Sequence, residues 1–407
     1  MPEILAPAGN LQKLYTAFAF GADAAYIGGN DFSLRAFSDG FSLDDTRTAV
    51  GFAHERGKKI FVALNIYPSN SDFGRIRQYL SDIGKIGADG VIVSDLGVLQ
   101  NALKFAPNVP VHISTQANTT NAEAVRFYKS LGVSRVVLAR ELTLDEITEI
   151  RNETDGIELE CFVHGAMCMA YSGRCLLSNY LTGRSANKGK CVQACRWEYE
   201  TGEGEEQDGG RGLTVSEDGR GTYFMNSKDL CLIEHIDKLI EAGIDSFKIE
   251  GRMKSEYYTA CVVNAYRRAV DNYNNGVADF CAGLADELKK VGNRGYTTGF
   301  YFEKNAAAIN EKSSKAQSQY IFAANVLGYD EGRGAIVAEQ RNAFRKGDVL
   351  ELVSSGENFL KAFTVSRIED ENTNGIEAAS RVQQRLFIKS DIRAEKYDVL
   401  RKKKDGQ

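Results

Sequence analysis

The feature that most constrains this chain is an alternation running from residue 3 to about residue 270. Short apolar runs and amphipathic stretches follow one another through eight repeats. The predicted strands are Glu3–Ala6, Ala24–Gly28, Lys59–Asn65, Gly90–Asp95, Val111–Gln116, Arg135–Arg140, Ile157–Val163 and Ser246–Glu250. Most are rich in Val, Ile, Leu and Phe without strict alternation, the pattern of strands buried on both faces of a parallel sheet. Between them, Leu43–Arg56, Gly74–Gly87, Thr120–Leu131 and Thr143–Arg151 read as helices. Ser42 and Thr143 are helix-starting residues, and Gly57, Gly87 and Gly132 mark stops. Eight strand–helix units predict a (β/α)8 TIM-like barrel. A doubly wound open sheet is the alternative. A dinucleotide-binding sheet would carry a Gly-rich phosphate turn after its first strand, and Ala6-Pro7-Ala8-Gly9-Asn10 is not one.

The barrel is expected over residues 1–280, with a Cys-rich insertion at 164–222 where the helical period disappears. The stretch Thr201–Gly221 is Gly-rich and acidic and reads as a surface loop. Residues 281–318 read as a linker. From Tyr320 the texture changes to short strand-like runs between turns, which predicts a small C-terminal antiparallel β-barrel domain over 319–407.

Of the 407 residues, 50 are Lys or Arg and 55 are Asp or Glu, a net charge of −5. That balance argues against a protein that binds nucleic acid by bulk positive charge, and leaves room for a local basic patch. The C-terminal region 341–407 is slightly basic, with 14 Lys and Arg against 11 Asp and Glu. The N-terminus lacks the basic start and apolar run of a secretory signal, and no stretch is long and apolar enough to span a membrane. A cytosolic protein with reduced thiols is expected, where clustered cysteines bind metal or do redox work rather than form structural disulfides.

In a barrel of this kind the active site forms at the carboxyl ends of the strands. Those ends here carry Asn65, Asp95, Gln116, Arg140 with Glu141, His164, and Lys248 with Glu250 and Arg252. Each taken singly reads as a cap or a solvated loop residue. Their recurrence at one end of successive strands points to a ligand pocket.

Five of the eight cysteines lie between Cys161 and Cys195. The spacing is Cys168-x6-Cys175-x15-Cys191-x3-Cys195, with Cys231 further on. No histidine follows at zinc-finger spacing, and there are no paired C-x2-C knuckles. Four soft thiolates in a Gly-containing loop suit an iron–sulfur cluster or a tetrahedral zinc. Cys161, Cys261 and Cys281 read as core.

The run Glu160-Cys161-Phe162-Val163-His164-Gly165-Ala166-Met167-Cys168, continued by Gly173-Arg174-Cys175-Leu176-Leu177-Ser178, resembles the signature of peptidase family U-32, the collagenase-like peptidases of unknown catalytic type. Leu5-Ala6-Pro7-Ala8-Gly9-Asn10, Asn226-Ser227-Lys228-Asp229-Leu230-Cys231 and Lys248-Ile249-Glu250-Gly251-Arg252 resemble the same family. Within it the chain is most similar to a branch that takes part in tRNA hydroxylation. The resemblance implies a [4Fe–4S] cluster on Cys168, Cys175, Cys191 and Cys231, with Cys195 as a neighbour able to stand in for Cys191. It also implies prephenate-dependent conversion of a tRNA wobble uridine to 5-hydroxyuridine.

A dicarboxylate such as prephenate needs cations, and Arg matches carboxylates bidentately. Arg140, His164, Lys248 and Glu250 are therefore the candidate catalytic residues, and Arg35, Asn65, Gln116 and Arg252 the candidate substrate-binding ones. Tyr67 or Tyr171 could stack on an extruded tRNA base. A protein partner for electron transfer is also expected. Two other classes remain open at this point: a collagenase-like protease, and a non-catalytic cluster-bearing partner in a hydroxylase complex. A protease needs a nucleophile next to a base. Of the histidines His54, His112, His164 and His235, only His164 sits at a strand's carboxyl end near a thiol.

Overall fold

The computed structural model describes residues 1–29, 40–168, 170–175, 177–182, 184, 191–196, 217–218, 221–222, 227–303 and 317–404. Eight parallel strands close into a barrel: β1 (Glu3–Pro7), β2 (Ala24–Gly28), β3 (Lys59–Leu64), β4 (Gly90–Val93), β5 (Val111–Ile113), β6 (Arg135–Val137), β7 (Glu158–Ala166) and β8 (Ser246–Ile249). Closure is made by β8, which pairs with β1 at Leu5↔Lys248 and with β7 at Lys248↔Phe162. The helices are α1 (Leu11–Ala19), α2 (Leu43–His54), α3 (Phe73–Ile86), α4 (Leu96–Phe105), α5 (Ala122–Ser130), α6 (Leu144–Asn152), α7 (Ile236–Glu241) and α8 (Glu256–Asn274).

Local chemistry sets these boundaries. Ser42 and Thr143 form capping boxes with Asp45 and Glu146, which satisfies the free amides that open α2 and α6. Gly87 ends α3 in the left-handed region at φ 82°, where a side chain would be strained. In α3 the buried Ile76, Leu80 and Ile83 fall four and three apart, one stripe of an amphipathic helix facing the sheet. All five residues of β2 are buried, as a strand sandwiched between barrel interior and helices must be.

Two predicted strands are cut short. The chain leaves β5 at Ile113 and enters a 3-10 turn at Thr115–Ala117, because the Ser114 hydroxyl accepts from the Gln116 amide. Likewise β6 ends at Val137, so Gln116 and Arg140 stand on loops above the strands. β7 runs longer than predicted, to Ala166. Its last residues pair antiparallel with a short strand, Asp229–Cys231, at Asp229↔Ala166 and Cys231↔His164. The stretch predicted as a linker is tied to the barrel: Tyr296–Thr297 pairs with Asp229–Leu230, and the helix α9 (Leu284–Lys289) buries Leu284 and Leu288. The acidic stretch Thr201–Gly221 lies mostly outside the described residues.

The C-terminal domain holds an eight-stranded antiparallel sheet and a two-stranded one that pairs Phe344–Arg345 with Ala378–Ala379. The strands of the larger sheet are β9 (Tyr320–Asp330), β10 (Ala335–Gln340), β11 (Val349–Val353), β12 (Ala362–Thr364), β13 (Ile368–Asp370), β14 (Gly375–Ile376), β15 (Arg385–Lys389) and β16 (Val399–Lys403), in the order β12-β11-β16-β9-β10-β15-β13-β14. The order is linear, not the closed ring of a barrel. Register shifts at Phe322/Ala324 and Val326/Gly328 bend β9 around a separate apolar core that includes Ile336, Leu350, Leu386 and Leu400. Arg401 of β16 is fully buried and bonds both Glu351 of its own sheet and Glu287 of α9, which joins the two domains. No described helix is long and apolar enough to cross a membrane.

Candidate functional site

The barrel interior is layered. At the amino end Arg135 bonds Glu3 at 2.7 Å, Glu158 at 2.6 Å and Glu160 at 2.9 Å. Lys248 bonds the other oxygen of Glu160 at 2.7 Å. Burial alone would raise the Glu160 carboxyl, but the two cations outweigh it and hold its pKa at about 2. Lys248, a predicted catalytic residue, is therefore tied down inside the barrel, its ammonium 4.7 Å from the centre of the Tyr26 ring. Glu160 lay inside the quoted signature without a role. A glutamate between Leu159 and Cys161 in a buried strand is the signal that it was paired.

Above this layer the carboxyl ends bring several predicted residues together. Asn65 donates to the Gln116 side-chain oxygen at 2.8 Å, and Ser94 approaches the same oxygen at 3.4 Å. Tyr67 donates to the Gln116 carbonyl at 2.9 Å. On the opposite side of the mouth, Tyr26 donates to Glu250 at 3.3 Å and to the Ile249 carbonyl at 3.0 Å. Arg140 lies over the Phe162 ring at 4.7 Å and donates to the Ala166 carbonyl at 3.0 Å. No carboxylate among the described residues pairs with Arg140. Arg252 is buried beside the first βα loop, where its carbonyl approaches Gly9 so closely that a Cβ there would stand 2.3 Å away. That contact explains the glycine of the opening motif. Arg35 lies outside the described residues.

His164 is placed differently from the expectation of an open catalytic group. Its ring is enclosed by Tyr258, Tyr266 and Tyr296, with centroids at 6.0, 5.6 and 5.3 Å. Burial lowers its pKa to about 3, so the imidazole is neutral at pH 7. Among the described residues no Ser, Thr or Cys side chain hydrogen-bonds a histidine ring.

The cysteine-bearing segment is fastened over the mouth from two sides. Glu141, after β6, accepts from both the amide and the hydroxyl of Ser172 at 2.6 Å, holding that residue at φ 41°. Arg174 donates to the Tyr67 hydroxyl at 2.8 Å and to the Gln116 carbonyl at 3.0 Å. Ser172 and Arg174, which the sequence reading left without roles, thus hold the segment carrying Cys168 and Cys175 next to the polar cluster. All eight cysteines are free thiols. Cys168 and Cys191 are exposed, and Cys175 and Cys231 are half-buried. Burial pushes the Cys231 thiol up to about 11. Cys231 sits across from His164, four residues before Cys168 on the neighbouring strand. By chemistry the donor set suits a soft metal centre: Cys168, Cys175, Cys191 and Cys231 all carry thiols outside any disulfide. Among the described residues no three Cys, His, Asp or Glu side chains are gathered closely enough to hold an ion. Cys161 and Cys261 are core residues, each pushed up to about 12 by burial. Cys281, expected in a helix, lies in the turn before α9 and is half-buried.

A closed parallel barrel with a thiol-bearing loop pinned over its polar mouth, followed by an antiparallel sheet domain, defines a two-domain TIM-barrel protein whose chemistry belongs at the carboxyl ends of the strands. The family profile of peptidase family U32 matches residues 9–311, and that of the peptidase family U32 C-terminal domain matches residues 318–401. The chain belongs to peptidase family U32. It is 41% identical over 411 residues to tRNA hydroxylation protein P1 of Bacillus subtilis, covering 99% of this chain and 95% of that one. It is 38% identical over 269 residues to the 23S rRNA 5-hydroxycytidine C2501 synthase of Escherichia coli, covering 66% of this chain and 39% of that longer protein. It is 34% identical over 341 residues to a collagenase of Porphyromonas gingivalis, covering 80% of each chain.

Proposed function

We propose that this protein is a cytosolic enzyme that takes part in hydroxylating tRNA, converting a wobble uridine to 5-hydroxyuridine with prephenate as co-substrate. The observation that carries this reading is the similarity across both domains, 41% over nearly the whole chain, to a protein named for tRNA hydroxylation. A second relative is named for hydroxylating a cytidine of ribosomal RNA. The chemistry shared by the two names is hydroxylation of RNA.

A [4Fe–4S] cluster on Cys168, Cys175, Cys191 and Cys231 would supply one-electron redox chemistry beside the mouth. The chain's own residues bind and orient. Arg140, which no carboxylate among the described residues pairs with, offers its guanidinium to a carboxylate of the dicarboxylate co-substrate. Asn65 and Gln116 form the polar wall against which a base is held, and Tyr67 or the exposed Tyr171 offers a ring for stacking. The ion pair of Lys248 with Glu160 forms the floor, and Glu250, held by Tyr26, lines the side of the mouth. Protein partners for electron transfer act outside this pocket.

Peptide hydrolysis is the second reading, favoured by the relative named collagenase. Two measurements separate the readings. Protein purified without oxygen is expected to carry iron and sulfide, and tRNA from a strain lacking the gene to lose 5-hydroxyuridine in nucleoside mass spectra. A colourless, iron-free chain that cleaves collagen peptides, with hydroxyuridine unchanged in the deletion strain, overturns the first reading. Turnover of tRNA and prephenate by the purified protein distinguishes an enzyme from a cluster-bearing partner.

A further inference from the structure

The 3-10 turn after β5 is held from every side. Ser114 donates its amide to the Val93 carbonyl at 2.7 Å, and the Thr115 hydroxyl donates to the Leu138 carbonyl at 3.1 Å. The Ala139 amide donates to the Thr119 carbonyl at 3.0 Å. Tyr67 and Arg174 both bond the Gln116 carbonyl. Yet this turn carries two buried polar atoms with no partner among the described residues, the Gln116 side-chain nitrogen and the Asn118 side-chain oxygen. Gln116 is 3% exposed. Its side-chain oxygen is taken by Asn65 and Ser94, which leaves its N–H2 group unpartnered among the described residues. With the amides in this orientation the open atom of Gln116 is a donor.

An amide left unpartnered in a buried site is costly. A rigid turn that keeps a donor and an acceptor unsatisfied two residues apart is prearranged for a ligand that satisfies both. The matching group is one that presents a carbonyl oxygen beside an N–H, the O=C–N–H edge of a pyrimidine-2,4-dione. We infer that the Gln116–Asn118 turn reads the base: Gln116 Nε2 donates to the O4 carbonyl of uracil, and Asn118 Oδ1 accepts from its N3–H. This rests on the proposed RNA function and adds the specificity device. Cytosine presents the inverse pattern, an amino donor at position 4 and a bare ring nitrogen, so it leaves both atoms unsatisfied.

The test is a titration of the full-length, cluster-loaded protein with two anticodon stem-loop RNAs that differ only in uridine or cytidine at the wobble position. The wild type is expected to favour the uridine RNA by about tenfold or more. Gln116→Glu replaces the donor by an acceptor in the same shape and is expected to reverse the order. Asn118→Gly keeps a residue that tolerates φ 55° and is expected to reduce the preference several-fold. Melting curves confirm that each variant is folded before it is scored. A folded Gln116→Glu protein that keeps the wild-type preference overturns the inference, as does a wild type that does not distinguish the two RNAs. Nucleoside mass spectra from cells test the underlying function separately. If wild type fails to restore hydroxyuridine while the preference for uridine RNA stands, the hydroxylation reading fails and the base-reading turn survives.

Discussion

The two ends of the barrel handle polar groups in opposite ways. At the amino end, Glu3, Arg135, Glu158, Glu160 and Lys248 form one set of ion pairs. At the carboxyl end no carboxylate among the described residues pairs with Arg140, and Gln116 and Asn118 each keep a hydrogen-bonding atom with no partner among those residues. Buried charges are costly unless mutually satisfied, so the amino end has the arrangement of a structural element. Open groups held rigidly have the arrangement of a binding site. The difference explains why Lys248 and Arg140, both cations near strand ends in the sequence, have different surroundings. One strand of inward residues reaches down to Glu160, and the other cation stands on a loop above it.

The strongest way to break this contrast is at the thiols. Cys168→Ala and Cys191→Ala are each expected to abolish cluster iron and hydroxyuridine formation while the melting temperature of the apoprotein stays put, because both side chains are exposed. Full iron content in either variant removes that cysteine from the ligand set. At the other end the expectation is inverted. Glu160→Gln leaves Arg135 and Lys248 short of their shared anion in a fully buried site. It should cost about 3–5 kcal/mol, read from guanidinium midpoints. A loss below about 1 kcal/mol would show that the amino-end pairs are dispensable.

A pH titration sharpens the same contrast. His112 is buried against Phe61 at 4.7 Å, and burial, aided by Arg135, lowers its pKa from 6.5 to about 3. Between those values the unfolded chain binds one more proton than the folded one. The stability that His112 contributes is therefore complete above about pH 6.5 and declines as pH falls toward 3, by about 1.4 kcal/mol per pH unit. His112→Asn is expected to remove that slope from a stability–pH curve. An unchanged slope would place the proton elsewhere.

The barrel was readable because its signal repeats: eight apolar runs with helix starts and glycine stops leave few other folds. Asn65, Gln116 and Arg140 were readable as residues of the carboxyl ends for the same reason, since each follows a recognisable strand. What could not be read was partner choice. Lys248 had Glu250 two residues away in sequence, yet the inward alternation of β7 and β8 gave it Glu160. His164 looked like an open base because nothing in the chain announces that three tyrosines from α8 and the Tyr296 strand close over it. The pins on the cysteine segment, Ser172 to Glu141 and Arg174 to Tyr67, join residues 31 and 107 positions apart, which no local pattern encodes.

Those pins give the smallest and most selective test. Arg174→Leu removes two bonds to Tyr67 and Gln116 while leaving the barrel floor untouched. A hydrogen bond from a charged group contributes about 1.5–3 kcal/mol when buried and less at the surface, where Arg174 lies. The expected result is a roughly tenfold fall in hydroxyuridine formation, with overall stability changed by less than about 1 kcal/mol. Glu141→Gln, which keeps an acceptor for Ser172 but removes the charge, should fall between this variant and wild type. If the two variants instead lower the melting temperature as much as Glu160→Gln does, the segment belongs to the structural half of the molecule. The division between a closed amino end and an open carboxyl end would then have to be redrawn below Tyr67.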